Sequence, residues 1–382
     1  MVPARVAKVK EIKMKITDVA MDCYVWPQPK PIRNGKYTYT TNGINVARVE
    51  TDQGIVGLGL GTLGTGSTSD GVQVLRGLAQ GFRPALIGED PLDVEKIWAN
   101  MWVPKLVGRR GLSTRVISAI DLALWDIKGK MCNLPVYKLL GGFTNRVPAY
   151  IAGGYYQEGK GLKQLAEEME HNVAMGAKAV KMKIGGAAIN EDVERVRAVR
   201  KAIGKDVKLL VDANNAYRYF EAIEIARKIE KYDIFWFEEP VMPDDYRGHA
   251  MVLAATSIPI ATGENEYTRY GFRDLIEQKA VSILNADAQI MGGVTEFIKV
   301  AALASAYDLP MAPHGNQDIH VHLVAAIPNG LMVEYARGTL NPMWDTMFKE
   351  HLVMKDGYLE PPDRPGFGIE LNDKALAPYK VA

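Results

Sequence analysis

The sequence has few cysteines, almost no net charge and no long apolar run. Its 382 residues include two cysteines, Cys23 and Cys132, which lie far apart and form no CxxC pair. This argues against a disulfide framework or a thiolate metal site and favours a reducing cytoplasm. A formal net charge of +1 gives no electrostatic basis for binding nucleic acid or an anionic membrane. With so little net charge we expect small-molecule partners, and no stretch approaches the length of a membrane span.

The length and the patterning of the chain predict two main domains. Residues 1–13 mix basic and apolar side chains and are interpreted as an N-terminal extension. Residues 14–142 begin with strand patterns and continue with helical ones, which predicts a small α+β domain. Within it, residues 45–50 and 55–60 flank the turn sequence TDQG and predict a hairpin, whereas the proline-rich residues 27–43 predict a long loop.

Residues 143–345 repeat a pattern of short apolar strand, loop and helix. The eight candidate strands are 147–152, 178–183, 207–212, 233–238, 258–263, 281–287, 309–314 and 331–335. Eight such units predict an α/β fold of the (β/α)8 type, a modified TIM barrel, with its active site at the C-terminal ends of the strands. A doubly wound open sheet is the alternative, which the number of strands disfavours. We expect residues 346–382, rich in turn signals, to return and complete the small domain.

Ionisable residues stand at the ends of the predicted barrel strands. They are Lys181, Lys183, Asp212, Glu238, Glu264, Asp287, His314 and Glu334. A charge that ends an apolar strand is commonly just solvated, so no single member is diagnostic. A barrel, however, brings all these strand ends to one cleft, and the set therefore predicts an active site.

Three carboxylates come from three successive strands. Asp212, Glu238 and Glu264 would share one small space, where like charges cannot all remain ionised without a cation. Hard oxygen ligands without nearby cysteine favour Mg²⁺, and Mn²⁺ is possible. The sequence therefore predicts a divalent metal site.

Two candidate proton carriers flank this trio along the barrel. Lys183 and His314 suit the removal of a proton α to a carboxylate, with Asp287 bonding the far nitrogen of His314. Lys181 lies two residues before Lys183 and so on the same strand face, where burial and mutual repulsion are expected to lower the pKa of the amine. Glu334 could donate a hydrogen bond to the substrate carboxylate if its pKa were raised.

Other residues near these motifs invite weaker interpretations. Glu239 follows Glu238 and points to the opposite strand face, so we expect a supporting role and not ligation. Asn214 either contacts substrate or shapes its loop. His320 and His322 lie in a predicted helix, where packing or surface positions are expected.

The site motifs resemble those of the enolase superfamily, and within it the mandelate racemase subgroup, over essentially the whole chain. The segments that carry the resemblance are KMKIGG, VDANNAY, WFEEP, ATGEN, NADAQIMGGVTE and MAPHG. The resemblance implies that the small domain caps the barrel, that residues 27–42 and 59–69 close over the substrate, and that the protein forms octamers or dimers. It implies the following roles: bases Lys183 and His314, with Asp287 beside His314; Mg²⁺ ligands Asp212, Glu238 and Glu264; substrate contacts Lys181, Asn214 and Glu334.

This chemistry allows more than one reaction. Most sequences of the subgroup with this lysine and histidine resemble acid sugar dehydratases, which predicts dehydration of a sugar acid to a 2-keto-3-deoxy product. The alternatives on the same enediolate are a racemase or epimerase, or a sugar-lactone or anhydrosugar-acid cycloisomerase; VGRRGLS and HGNQDIHVHLV resemble segments of such cycloisomerases. A catalytically silent barrel is disfavoured, because an idle site has no reason to tolerate so much buried charge.

Overall fold

The computed structural model describes residues 14–62, 69–103, 105, 108–336 and 340–382. The predicted extension 1–13 lies outside these ranges, as do residues 63–68 of the predicted loop 59–69. Within the described residues, no helix is long and apolar enough to cross a membrane.

A three-stranded antiparallel sheet opens the chain. Its strands are β1 (Ile16–Arg33), β2 (Thr38–Thr51) and β3 (Val56–Thr62), with β2 in the middle. The predicted hairpin between β2 and β3 is confirmed. The predicted long loop at 27–43 is wrong, because β1 and β2 continue through most of it and pair as far as Arg33 and Thr38. The prolines are tolerated there because β1 is an edge strand and its register shifts after Pro27.

Helices pack this sheet against the rest of the molecule. They are α1 (Ser69–Phe82), α2 (Val94–Met101), α3 (Leu112–Cys132) and α4 (Val136–Leu139). The backbone of α3 lies so close to β3 that a Cβ at Gly59 would stand 1.8 Å from the Ala119 carbonyl oxygen. On its other side, Trp125 of α3 donates its indole hydrogen to Thr295 Oγ1 at 3.0 Å. This long apolar helix is therefore buried between the sheet and the barrel.

Parallel strands form the barrel in the order β10-β4-β5-β6-β7-β8-β9. They are β4 (Val147–Ala152), β5 (Ala179–Lys183), β6 (Lys208–Asp212), β7 (Ile234–Glu238), β8 (Ile260–Thr262), β9 (Ile283–Leu284) and β10 (Val333–Tyr335). The predicted strand 309–314 is reduced to single bridges from Met311 to Leu284 and Gly330, which close the ring between β9 and β10. The predicted (β/α)8-type architecture is thus confirmed, although every strand except β4 is shorter than expected, β9 and the strand at 309–314 most of all.

Helices follow the barrel strands in sequence and cover the outside. They are α5 (Leu162–Ala174), α6 (Ile189–Ile203), α7 (Tyr219–Ile229), α8 (Tyr246–Ala255), α9 (Thr268–Glu277), α10 (Gly293–Ala306) and α11 (Gln317–Ala326). The interior is a packed core and not a pore. A cluster of buried side chains fills it: Tyr150, Ala179, Leu210, Trp236, Ala261, Ile283, Ala312 and Met332.

The C-terminal segment contacts both parts of the molecule. It contains β11 (Tyr358–Leu359), which pairs antiparallel with β4, and the short helix α12 (Asp373–Leu376). Phe367 donates its backbone N–H to Asp126 of α3 at 3.0 Å, and Val381 donates to the Cys23 carbonyl of β1 at 2.9 Å. These contacts support the proposed assignment of residues 346–382 to the small domain, and the β4 pairing adds a barrel contact that was not expected.

Candidate active site

Three carboxylates meet at the C-terminal ends of neighbouring strands. Asp212 ends β6, Glu238 ends β7, and Glu264 follows β8. The three are buried, and each offers an oxygen within 4.8 Å of the others; no other such group of three appears among the described residues. Oε2 of Glu264 is buried without a hydrogen-bond partner in the described part of the chain. An orphaned oxygen beside two further carboxylates fits a divalent cation, as the sequence predicts.

The two lysines of β5 point at this trio. The Nζ atom of Lys183 lies 2.5 Å from Asp212 Oδ2, and that of Lys181 lies 2.6 Å from Glu238 Oε1 and 3.7 Å from Asp212 Oδ2. Both side chains are almost completely buried. The period of two along β5 therefore places both amines on the inner face, as expected.

The expected lowering of the lysine pKa is wrong for this arrangement. Burial lowers the pKa of Lys183, but attraction to Asp212 outweighs it and holds the pKa well above its usual value. Glu238 and Glu334 do the same for Lys181. The repulsion from Lys181 affects the pKa of Lys183 less than the attraction to Asp212 does.

Glu238 is held from two sides. Its Oε1 accepts from Lys181, and its Oε2 accepts from the indole Nε1 of Trp236 at 2.9 Å. Burial, opposed by Lys181 and reinforced by Asp212, raises the pKa of the Glu238 carboxyl. Since Trp236 precedes Glu238 by two residues, the strand period itself could have revealed this contact.

Glu334 lies in β10 beside Lys181. Its Oε2 accepts from Tyr150 at 3.2 Å, from Lys181 at 3.3 Å and from the Gly315 backbone at 3.2 Å. Burial raises the pKa of Glu334, but Lys181 and His314 outweigh it and hold the pKa below its usual range. The condition under which Glu334 would act as a donor, a raised pKa, is therefore not met in this arrangement.

His314 stands on the other side of the trio. Its Nδ1 lies 3.0 Å from Asp287 Oδ2, and its Nε2 lies 3.7 Å from Glu264 Oε2. Because a carboxylate faces Nδ1, we assign the ring proton of the neutral form to that nitrogen, which leaves Nε2 towards the cavity. Burial lowers the pKa of His314, but Glu264 and Asp287 raise it above its ordinary value.

The support behind Asp287 was missed by sequence reasoning. His320, for which a packing or surface position was expected, is buried, and its Nε2 accepts the Ala288 backbone N–H at 3.0 Å, so it approaches Asp287 Oδ1 at 3.4 Å without a hydrogen bond. Burial lowers the pKa of His320 and favours its neutral form. Gln289 adds a backbone N–H to Asp287 Oδ1 at 2.7 Å. Helical spacing alone carries no signal for the contact between His320 and Ala288, because His320 lies in a helix and Ala288 in a loop far from it in the sequence.

Asparagines shape the wall next to Asp212. Asn214 has a φ of +44°, donates its backbone N–H to Asp212 Oδ1 at 2.8 Å, and leaves a buried side-chain oxygen without a partner among the described residues. Asn215 and Asn265 both donate to Glu239 at 2.8 Å. Glu239 therefore supports the loops, in line with the supporting role expected for it.

A cavity of about 660 Å³ opens above these groups. The β1–β2 hairpin of the small domain forms one wall with Ile32, Tyr39 and Asn42, and the barrel side presents Lys183 and His314. Part of the segment predicted as a closing loop thus faces the site as a strand pair. The fold and its centre define a class of protein: a capped barrel with a carboxylate metal site between a lysine and a histidine, suited to carbon-acid chemistry.

Comparisons with known proteins identify the family. Residues 16–141 match the mandelate racemase/muconate lactonizing enzyme N-terminal domain, and residues 164–375 match the enolase C-terminal domain-like family. The chain belongs to the mandelate racemase group of the enolase superfamily.

Three similar proteins illustrate the range of the family. An arabinonate dehydratase of Saccharolobus solfataricus is 39% identical over 343 residues, covering 88% of this chain and 90% of the relative. A 3,6-anhydro-alpha-L-galactonate cycloisomerase of Streptomyces coelicolor is 35% identical over 374 residues, covering 96% and 99%. The crystal structure of L-talarate dehydratase from Polaromonas sp. JS666, complexed with Mg and L-glucarate, has a TM-score of 0.84 at 35% identity, covering 96% and 98%.

Proposed function

We propose that this protein removes the α-proton of a sugar acid with the help of a divalent metal ion and then eliminates water, giving a 2-keto-3-deoxy sugar acid. One observation carries the proposal: Lys183 and His314 flank the carboxylate trio in strand order and line the same cavity. A base on either side of a chelated carboxylate is the arrangement that carbon-acid chemistry requires.

The metal would be Mg²⁺, or Mn²⁺, held by Asp212, Glu238 and Glu264. When bound, it supplies Lewis-acid stabilisation of the negative charge that develops on the substrate carboxylate. Lys181 fixes the orientation of Glu238 through the 2.6 Å contact and brings positive charge beside the substrate carboxylate.

The two bases divide the proton transfers. Whichever of Lys183 and His314 acts in its neutral form takes the α-proton, and the C–H electron pair moves into the carboxylate system. His314 then gives a proton to the β-hydroxyl, whose C–O bond breaks, so that water leaves and the enol becomes the keto acid. Asp287 keeps the ring of His314 oriented through the contact at Nδ1.

Unpartnered polar atoms at the cavity support a hydroxylated substrate. Asn214 and Trp344 both line it, and within the described ranges the buried Asn214 Oδ1 and Trp344 Nε1 have no hydrogen-bond partner. One is an acceptor and the other a donor, so each would gain from a sugar hydroxyl.

A cycloisomerase is the second candidate, and racemisation or epimerisation is a further outcome of the same first step. The relative of Streptomyces coelicolor, which matches almost end to end, favours the cycloisomerase. A cycloisomerase would share the removal of the α-proton and differ in which group then leaves the enediolate or returns to it.

We also propose a cytoplasmic enzyme that assembles as an octamer or a dimer, with a capping domain at 14–142 and a barrel at 143–345. Two unpaired cysteines support the reducing compartment. Light scattering after size-exclusion chromatography measures the assembly, and a monomeric mass would contradict it.

The test is a substrate screen in D₂O with Mg²⁺. Mono- and dicarboxylic sugar acids are incubated with the protein, with Lys183→Met and with His314→Asn. A 2-keto-3-deoxy product that both variants fail to form supports dehydration. Solvent deuterium at the α-carbon without a keto acid would replace it by racemisation, and a cyclised or ring-opened product by cycloisomerisation. Full activity of either variant would refute the roles given to these bases.

A further inference from the structure

Three arginine and lysine side chains line the cavity within the described residues: Lys183, Arg110 and Arg115. Two of them are neutralised by carboxylates. Lys183 faces Asp212 at 2.5 Å, and Arg110 pairs with Glu266 at 2.6 Å and also with Asp244. Their charge is therefore largely committed within the protein.

Arg115 differs from both. It lies in the first turn of α3 and is half-buried, and its Nε donates to the hydroxyl of Tyr267 at 2.9 Å. No carboxylate lies within 4.0 Å of its guanidinium among the described residues, and its two terminal nitrogens have no other hydrogen-bond partner there. Arg115 can thus offer a ligand in the cavity its full charge and the four N–H groups of those two nitrogens.

The contact with Tyr267 fixes where this charge points. Tyr267 follows the metal-site residue Glu264 by three positions, and the Arg115 guanidinium lies 6.0 Å from the centre of its ring. The arginine is thereby anchored from the small domain to the barrel loop that carries Glu264. A planar fork held in this way matches the two oxygens of a carboxylate, whereas a hydroxyl uses only part of it.

We propose that Arg115 binds the carboxylate at the far end of a dicarboxylic sugar acid, so that the substrates are aldaric and not aldonic acids. The inference rests on the proposed function, because it takes the first carboxylate to lie at the metal site. The unpaired charge then serves as the counter-ion of the second carboxylate and selects against a neutral terminal CH₂OH, which would leave the cation unpaired in a cavity.

The experiment compares matched substrates that differ only in the terminal group: galactarate with galactonate, glucarate with gluconate, and arabinarate with arabinonate. The wild type should prefer the dicarboxylate of the productive pair. Arg115→Met should reduce that preference by about 10- to 150-fold, the value of a hydrogen bond to a charged group, mainly through KM. Arg115→Lys keeps the charge but loses the fork and should fall between the two.

Arg109→Met is the matched control. Arg109 pairs with Asp274 at 3.0 Å and does not line the cavity, so its substitution should leave the preference unaltered. A monocarboxylate preference in the wild type, or an equal loss for both members of the pair in Arg115→Met, would overturn the proposal.

Binding measurements test the role of Arg115 separately from the dehydration proposal. Calorimetric titration of the Mg²⁺-loaded protein with each acid measures affinity whether or not turnover occurs. Tighter binding of the dicarboxylate, lost in Arg115→Met, upholds the role of Arg115 even if no keto acid forms and the dehydration proposal fails. If no dicarboxylate in the panel binds more tightly than its partner, Arg115 does not have this role.

Discussion

Replacing Trp236 by phenylalanine should weaken metal binding at the barrel centre without unfolding the protein. The indole Nε1 donates to Glu238 Oε2 at 2.9 Å, and both side chains are completely buried. Phenylalanine keeps an aromatic ring in the cluster but has no N–H, so Oε2 loses its donor at a fully buried position. Glu238 is then free to turn away from the geometry that the cation needs.

The size of the effect follows from this one contact. A hydrogen bond to a charged group contributes about 1.5–3 kcal/mol, which corresponds to about 10- to 150-fold in a dissociation constant. Hydrogen-bond partners of metal ligands typically change affinity by about 10- to 100-fold when removed. We therefore expect the dissociation constants for Mg²⁺ and Mn²⁺ to rise by about 10- to 100-fold.

The assay is calorimetric titration of EDTA-treated protein with each metal, with thermal unfolding measured in parallel. Phe235→Leu is the matched control, because Phe235 packs against Trp236 at 5.6 Å between ring centres and has no polar atom. It should lower stability with little change in metal affinity. A Trp236→Phe protein with wild-type affinity for both metals would refute the idea that this N–H orients Glu238.

Three further predictions concern the metal site, the pair of Asp287 and His314, and the buried His249. Removing the metal with EDTA should lower the melting temperature, because a cation at a hundred times its Kd stabilises by about 2.7 kcal/mol; Glu264→Gln should lose this shift, and an equal shift would count against the site. Asp287→Asn should reduce kcat by about 10²- to 10⁴-fold by misorienting His314, as measured by keto-acid formation; unchanged turnover would contradict it. Burial lowers the pKa of His249 to about 4. The unfolded chain then binds the extra proton first, so stability should fall by about 3 kcal/mol as pH drops from about 6.5 to 4, and urea titrations of His249→Phe should show a flatter pH dependence.

The positions of the site residues were predictable because two simple rules determine them. A strand period of two places Lys181 and Lys183 on one face, and the barrel rule collects the strand ends of Asp212, Glu238 and His314 at one mouth. Both rules depend on patterns that repeat along the chain, so a single sequence carries them.

The features that sequence reasoning missed depend on which strands and helices become neighbours in the fold. The pKa direction of Lys183 was misjudged because the sequence places Lys183 and Asp212 in one cleft but does not show that they are in contact, whereas the β5–β6 register sets them opposite each other. The contact between Tyr150 and Glu334 likewise comes from the pairing of β4 with β10. The prolines of β1 suggested a loop because a sequence does not reveal that a strand lies at a sheet edge.

The contact of Val381 with Cys23 has a consequence for the order of synthesis. The edge of β1 is translated before the barrel, but its backbone partner from the C-terminal segment is translated only after the whole barrel. The small domain therefore cannot reach its final form on the ribosome ahead of the barrel, unlike a domain that is contiguous in sequence. A fragment that stops at residue 345 would lack this partner and also the β11 strand that pairs with β4.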